Sequence, residues 1–430
     1  MYTVLKGTHD VIFDEADKYT YVENILKRVA TLYNYREVRT PIIESSELFC
    51  RAVGDSSDIV RKEMYAFEDK GGRNITLRPE MTAGTIRSFV NNKLFANMDY
   101  PVKGYYIGPN FRYERPQQGR YRQFNQFGIE NCGLNLPQND AEVIALGYNC
   151  LKILGFSNLK LKINSLGDNE TRVKYKEALR EYFSGKIDTM CSDCKERYEK
   201  NVLRILDCKV PEDQQIVAGA PTLDQFYSEE AEKNFKKVLE LLDNLNIEYE
   251  IDHSLVRGLD YYSGVVFEYH YTSQKNKSYG AIGGGGHYNN LIEEIGGPKV
   301  EGVGLAMGIE RLVSVMNDDE LFDDLVNTLD AYIMPLGDKA IDKSFNLANF
   351  LRLNGYSCEV CYEKKNIGQQ FKKAIRRNAV VAIIIGENEL NNDEVIVKDL
   401  TLEEQKTVKN GDLLEYLDEF FGIEDEHHHD

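Results

Sequence analysis

The sequence predicts a chain of mixed α and β structure in two parts. A long N-terminal α+β part is interrupted by a helical insertion, and a small α/β domain follows it. Three observations predict this. At 430 residues the chain exceeds one ordinary hydrophobic core. Its apolar residues switch between helical spacing and strict alternation along the sequence. Residues 170–225 depart from both neighbours, being charged, tyrosine-rich and free of any glycine-rich site sequence, as an inserted helical subdomain would be.

Val22, Ile25, Leu26, Val29, Leu32 and Tyr33 fall at helical spacing and predict an amphipathic helix over 16–34. YREVRTP reads as a strand edge or bend ending at Pro41. Leu159, Leu161 and Ile163 alternate into a strand that stops near Gly167. Leu239, Leu242 and Leu245 mark a further helix, and VVFEYHY at 265–271 alternates as a strand. The acidic run NDDELFDD marks a boundary, so the N-terminal part covers 1–325 and the second 328–423, with 424–430 a tail. Beyond it, AYIMP reads as a strand, 338–353 as a helix closed by Gly355, and 356–361 as a strand. A basic helix at 367–377, a buried strand at 379–385 and the strand EVIVKD complete an α/β pattern with a mainly parallel or mixed sheet.

The formal net charge is -18, which favours solubility and argues against diffuse nucleic-acid binding while leaving room for a local basic site. MYTVLKGTHD lacks a signal-peptide core, and the longest apolar run, Ala379–Ile385, is far short of the ~20 residues that cross a bilayer. A cytoplasmic chain with no membrane partner is expected. Of the eight cysteines, Cys191, Cys194 and Cys208 offer three zinc-type ligands without a convincing fourth. No structural metal is therefore expected. The sulfurs of Cys358 and Cys361 should point to opposite faces of a strand. His427, His428 and His429 resemble a tag remnant.

Chemistry concentrates in four segments. GPNFRYERPQQGRYRQFNQFGIE at 108–130 sets Arg112, Arg115, Arg120 and Arg122 within eleven residues of an acidic protein, which points to an anionic ligand. Arginine suits phosphate because its planar fork donates two parallel hydrogen bonds. Phe111, Phe124 and Phe127 are interleaved with the charges, offering a ring for a base. In TLRPEMTAGT, Glu80 is a candidate for an ammonium, against the plainer reading of a surface turn with an Arg78 ion pair. LVRGLDYYSG places Arg257 before Asp260, Tyr261 and Tyr262, and a structural Arg–Asp pair is the alternative there. GAIGGGGHYNNL and GVGLAMGIERL complete the set, since glycine runs let a backbone approach a ligand closely. No phosphate-binding GxxxxGK[ST] or strand-placed GxGxxG is present.

Together these segments identify a resemblance. EVRTPIIE, FRYERPQQGRYRQFNQFGIE and GVGLAMGIERL resemble motifs 1, 2 and 3 of class II aminoacyl-tRNA synthetases. TLRPEMTAGT, LVRGLDYY and SYGAIGGGGHYNNL narrow the likeness to the bacterial histidyl-tRNA synthetases, over Leu5 to about Gly422. The resemblance implies an antiparallel catalytic sheet flanked by helices, a homodimer built around motif 1, and a C-terminal anticodon-binding domain. It implies ATP, taken with Mg2+, as a substrate beside L-histidine and tRNA(His). It assigns Arg112 to the α-phosphate, Glu114 to the adenine amino group, Phe124 and Arg311 to the two faces of the adenine, and Arg120 to the ATP site. Glu80, Thr82 and Gln126 would hold the backbone groups of histidine. Glu130, Tyr261, Tyr262 and Tyr288 would surround its imidazole, with Arg257 between histidine and the α-phosphate. Arg115, Gln117 and Arg120 would meet the tRNA acceptor end, and Lys372, Lys373, Arg376 and Arg377 of FKKAIRR the anticodon side. His287 departs from the family, which often carries arginine there, and stands beside the expected pocket. The alternative function is a non-catalytic synthetase-like regulatory subunit of ATP phosphoribosyltransferase. The joint presence of Arg112, Arg257, Arg311 and the C-terminal block speaks against it.

Overall fold

A computed structural model describes residues 2–423 except 55, 56, 58, 117, 118, 256–260, 276, 323, 324 and 326. The chain divides into two compact units, 1–324 and 325–430. The first is built on strands β1 (Arg36–Glu37), β2 (Ile43–Ser45), β3 (Tyr65–Glu68), β4 (Asn74–Leu77), β5 (Val102–Phe111), β6 (Gln123–Cys132), β7 (Leu159–Ser165), β8 (Tyr249–Ile251), β9 (Tyr262–Thr272), β10 (Ser278–Tyr288) and β11 (Gly302–Gly308). Eight of these form one sheet in the order β1-β5-β6-β11-β10-β9-β7-β8. Its six central strands are antiparallel, and β1 and β8 add a parallel strand at each edge. Strands β2, β4 and β3 make a separate small antiparallel sheet.

Helices cover the sheet because alternation along its strands leaves an apolar face to bury. Asp14–Leu32 packs with Ile309–Asp318, and Pro137–Ile153 packs with Glu229–Asn244 and lies against β11. Pro137–Ile153 has no counterpart in the sequence reading. Ala141, Val143, Ile144, Ala145, Leu146, Cys150 and Leu151 are buried around much of its circumference, so no single apolar stripe shows. It sits so close to the sheet that a Cβ at Gly147 would lie 2.4 Å from the Tyr269 hydroxyl, which itself donates to the Ile144 carbonyl at 2.7 Å.

The glycine run of β10 serves the same economy of space. A Cβ at Gly285 would meet the Gly304 carbonyl of β11 at 1.9 Å, and one at Gly283 would meet Met307 at 2.7 Å. The close approach these glycines permit is between neighbouring strands, where the sequence pointed to a ligand.

Residues 169–226 form helices Asn169–Ser184, Ser192–Lys200 and Pro211–Val217 with short 3-10 turns between them. They enclose their own core of Tyr175, Leu179, Phe183, Met190, Val202 and Ile205. The second unit carries strands β12 (Leu329–Pro335), β13 (Cys358–Val360), β14 (Ala379–Ile385), β15 (Glu394–Asp399) and β16 (Gln405–Lys409) in the order β13-β12-β14-β15-β16. The first three are parallel and the last two antiparallel, giving a mixed sheet. Cys358 packs into the core on one side of this sheet and Cys361 into the core on the other. The exposed strand β16 and the closing helix Leu413–Phe421 have no counterpart in the sequence reading.

A buried ionic cluster joins the large sheet to its helical cover. The buried His287 ring contacts the Asp140 carboxylate through Nδ1 at 2.8 Å and the Glu301 carboxylate through Nε2 at 2.7 Å. Burial disfavours the imidazolium, but the two carboxylates outweigh it and push the pKa up to about 10. His287 thus stays cationic. It faces away from Tyr288, its neighbour on the strand, and does not border the cavity described below. Because the folded pKa lies above the unfolded value of about 6.5, the stabilisation is full below that pH, declines above it and is gone once pH passes about 10. His287→Gln should therefore be less stable than the parent near pH 6, with the gap closing towards pH ~10 in urea unfolding curves. A gap independent of pH would contradict the clamp.

Candidate active site

Strand β6 carries the centre of the site, and its neighbours β5 and β11 form the walls. Gly104 of β5 and Gly304 of β11 flank Glu130 in register. A Cβ on Gly304 would come within 2.2 Å of Glu130 Oε2, so glycine is what leaves room for this carboxylate. Glu130 is 1% exposed and accepts hydrogen bonds from the hydroxyls of Tyr288 at 2.7 Å and Tyr106 at 3.0 Å. Burial raises its pKa to about 7, with the tyrosine hydrogen bonds pulling the other way.

A cavity of about 490 Å³ opens around it. Glu80, Thr82, Arg112, Gln126, Glu130, Tyr261, Tyr262 and Tyr288 all line this cavity. Glu80 lies at the start of helix Thr82–Asn91, and its buried carboxylate accepts the Thr82 and Ala83 amides at 2.6 and 3.0 Å. Burial raises its pKa and these amides oppose the rise. Tyr261 stacks at a tilt on Tyr262 with ring centres 4.6 Å apart, and meets Tyr288 edge-on at 5.8 Å. Gln126 is oriented by the Asn110 side-chain amide, which donates to its Oε1 at 2.9 Å.

Arg78 is neither at the surface nor paired with Glu80. It is buried, donating to the Pro109 carbonyl at 2.8 Å and the Thr40 carbonyl at 2.9 Å, so it ties the chain before β2 to the end of β5. That contact sets up Arg112, whose Nε donates to the Pro79 carbonyl at 2.8 Å and whose guanidinium lies 5.3 Å from the Phe124 ring centre. The four arginines of this segment do not act alike. Arg122 lies 3.8 Å over the Tyr113 ring, with backbone contacts to Glu114 and Lys6, which makes it a structural residue. Arg115 and Arg120 are exposed. Of the phenylalanines, Phe127 is core and Phe124 is half-buried beside Arg112.

Glu114, Arg120, Phe124 and Arg311 do not line the cavity itself. Arg311 lies in the first turn of helix Ile309–Asp318, directly after β11, and its guanidinium donates to the Tyr279 carbonyl. The preceding Glu310 accepts the Asn125 backbone amide at 2.8 Å, which fixes this helix start beside Phe124 of β6. Burial, then the nearby Arg120 charge, lowers the Arg311 pKa. Arg257 and Gln117 lie outside the described residues. On helix Ile367–Arg376 of the second unit, Lys372 and Arg376 are exposed. Lys373 meets Glu363 at 2.7 Å, and Arg377, just past the helix, meets Glu359 at 3.2 Å.

Sequence reasoning missed Arg197, Arg204 and Lys209, which line the cavity from the helical insertion. It also missed Tyr106, the second hydroxyl on Glu130. The insertion reads as an independent subdomain by composition, and only the fold brings its cations to the cavity.

Comparison with known proteins places the whole chain in a family. A family model for histidyl-tRNA synthetase matches residues 7–312, and one for an anticodon binding domain matches 330–420. A histidine–tRNA ligase of Bacillus licheniformis is 48% identical over 416 residues, covering 97% of this chain and 98% of that one. Its counterpart from Bacillus subtilis is 46% identical over 422 residues, covering 98% of each. The crystal structure of apo Staphylococcus aureus histidyl-tRNA synthetase superposes with a TM-score of 0.84 at 38% identity, over 97% of this chain and 100% of that one. A Bacillus halodurans structure described as an ATP phosphoribosyltransferase regulatory subunit/histidyl-tRNA synthetase shares the fold at 21% identity and a TM-score of 0.64, over 90% of this chain and 98% of that one. The chain belongs to the histidyl-tRNA synthetase family of class II aminoacyl-tRNA synthetases.

Proposed function

We propose that the cavity around Glu130 is where this chain activates L-histidine with ATP, before ligating it to tRNA. The observation that carries this reading is the convergence of Glu80, Thr82, Arg112, Gln126, Glu130 and Tyr288 on one enclosure. Neutral imidazole offers one N–H donor and one acceptor nitrogen. A buried carboxylate at Glu130 and a tyrosine hydroxyl match that pair. Glu80, Thr82 and Gln126 suit the ammonium and carboxylate of the amino acid, and Tyr261 and Tyr262 the flat ring.

The first step needs alignment more than proton transfer. The histidine carboxylate is ionised at neutral pH and attacks the α-phosphorus, forming histidyl-adenylate and expelling pyrophosphate. Negative charge grows on phosphate oxygens, and cations must be in place to meet it. Arg112 at the cavity wall and Arg257 serve the α-phosphate in this reading. Arg311, Arg120, Phe124 and Glu114 serve the rest of the nucleotide, which enters as its magnesium complex. The half-buried Phe124 beside Arg112, and the Glu310–Asn125 contact that brings Arg311 to the same end of β6, support this division. In the second step the 3′-hydroxyl of tRNA attacks the adenylate. Arg115 and Gln117 are proposed for the acceptor end, and Lys372, Lys373 and Arg376 for the anticodon side. The Glu363 contact of Lys373 leaves Lys372 and Arg376 as the stronger candidates.

A cytoplasmic homodimer completes the proposal. Ile42 and Ile43 beside and on β2 are 41% and 51% exposed, and Phe67 on β3 is 47% exposed. An apolar surface of this kind around motif 1 suits burial against a second copy. Sedimentation at the mass of a single chain would refute the dimer.

Histidine-dependent exchange of pyrophosphate into ATP is the direct assay. Robust exchange with another amino acid and none with histidine would refute the specificity, and histidine binding without exchange would favour the regulatory reading. Glu130→Gln should lower kcat/KM for histidine in that assay by roughly 30- to 160-fold, the loss of about 2–3 kcal/mol from one buried charge-assisted hydrogen bond. A rate within a factor of about two of the parent would remove Glu130 from imidazole recognition.

A further inference from the structure

Arg197, Arg204 and Lys209 reach the cavity from a stretch of the insertion whose regular structure is short. The Ser192–Lys200 helix has nine residues, and a single 3-10 segment leads from it to Cys208. Four side chains that could ligate a metal cluster beside this stretch. The sulfurs of Cys191, Cys194 and Cys208 and a carboxylate oxygen of Asp213 all lie within 4.8 Å of one another. Cys191 and Cys208 are 3.9 Å apart at sulfur, and the Cys208 sulfur is 3.2 Å from Asp213 Oδ2. Tetrahedral zinc with bonds of about 2.3 Å to sulfur separates two thiolates by about 3.8 Å.

The fold supplies the fourth ligand that the cysteine spacing lacked. Asp213 enters from the first turn of helix Pro211–Val217. It is 2% exposed, and its polar partners are the groups of the cysteines around it. The backbone N–H of Cys191 donates to its Oδ2 at 3.1 Å, orienting the carboxylate towards the sulfurs. The Cys191 sulfur accepts the Cys194 N–H at 3.4 Å, and such an amide contact stabilises a thiolate. Cys194, Cys208 and Asp213 are buried and Cys191 is half-buried, so the cluster is largely screened from water. Three soft sulfur ligands select zinc over magnesium or calcium. We propose that Cys191, Cys194, Cys208 and Asp213 bind one structural zinc-class ion, which fixes the stretch carrying Arg197, Arg204 and Lys209 against the cavity.

Metal content and cobalt spectroscopy on the full chain test this. Protein purified without chelator should retain one zinc per chain by plasma mass spectrometry. After exchange into cobalt it should show the intense visible bands of tetrahedral Co2+ and a thiolate-to-metal charge-transfer band in the near ultraviolet. Cys208→Ser should lose the retained zinc, and Asp213→Asn should keep the charge-transfer band while shifting the visible ones. Zinc absent from the parent would overturn the site. So would cobalt bound without a sulfur band, which would place the ion on His427–His429. The parent spectrum decides the matter even if Cys208→Ser fails to fold.

Discussion

The main cavity of this protein is organised around one carboxylate, Glu130, kept buried in the middle of a sheet. Two tyrosine hydroxyls meet it, and burial holds its pKa near 7. Such a group is costly to the fold unless its hydrogen bonds are met. It is also well suited to discrimination, since a site built on polar contacts strongly rejects ligands that cannot complete them. Much of the surrounding sequence can be read as accommodation of this one side chain. Gly304 is glycine because a methyl group there would collide with Glu130. Tyr106 crosses over Gly128 so closely that a Cβ there would lie 2.4 Å from its ring. Glu80, a second buried carboxylate, is held separately by helix amides and leaves Glu130 its own partners.

A second constraint is that an acidic body gathers several of its cations around one cavity. The net charge of -18 repels nucleic acid at long range, so the local positive groups have to act at short range. Arg112 reaches the cavity from the end of β5, and Arg197, Arg204 and Lys209 reach it from the insertion. Arg78 and Arg122 resemble these in sequence but are spent on carbonyls and a ring, holding the segments that present the others. A cationic His287 performs a comparable service beneath the sheet, joining β10 to the helical cover through Asp140 and to Glu301.

The fold was legible where pattern and length agreed. The alternation of VVFEYHY lies within β9, and the C-terminal strands at 329–335 and 379–385 stand where their apolar runs are. Pro137–Ile153 was not legible, because a helix buried on most sides has no stripe. Of the site residues, those on the quoted motifs that line the cavity could be named by resemblance, while their mutual contacts could not. The Glu130–Tyr106 bond joins two strands through register, which spacing does not encode. The cavity cations of the insertion and the fourth member of the Cys191 cluster were missed for one reason. Asp213 and Lys209 acquire meaning only when short helices fold back on each other, and a linear search for histidine or cysteine passes over a carboxylate.

A crystal structure of the chain with L-histidine and a non-hydrolysable ATP analogue tests the role of Glu130 most directly. The imidazole should lie within hydrogen-bonding distance of a Glu130 carboxylate oxygen, with the α-phosphate against the Arg112 side of the same cavity. Histidine bound elsewhere, with Glu130 still engaged only by Tyr106 and Tyr288, would contradict it.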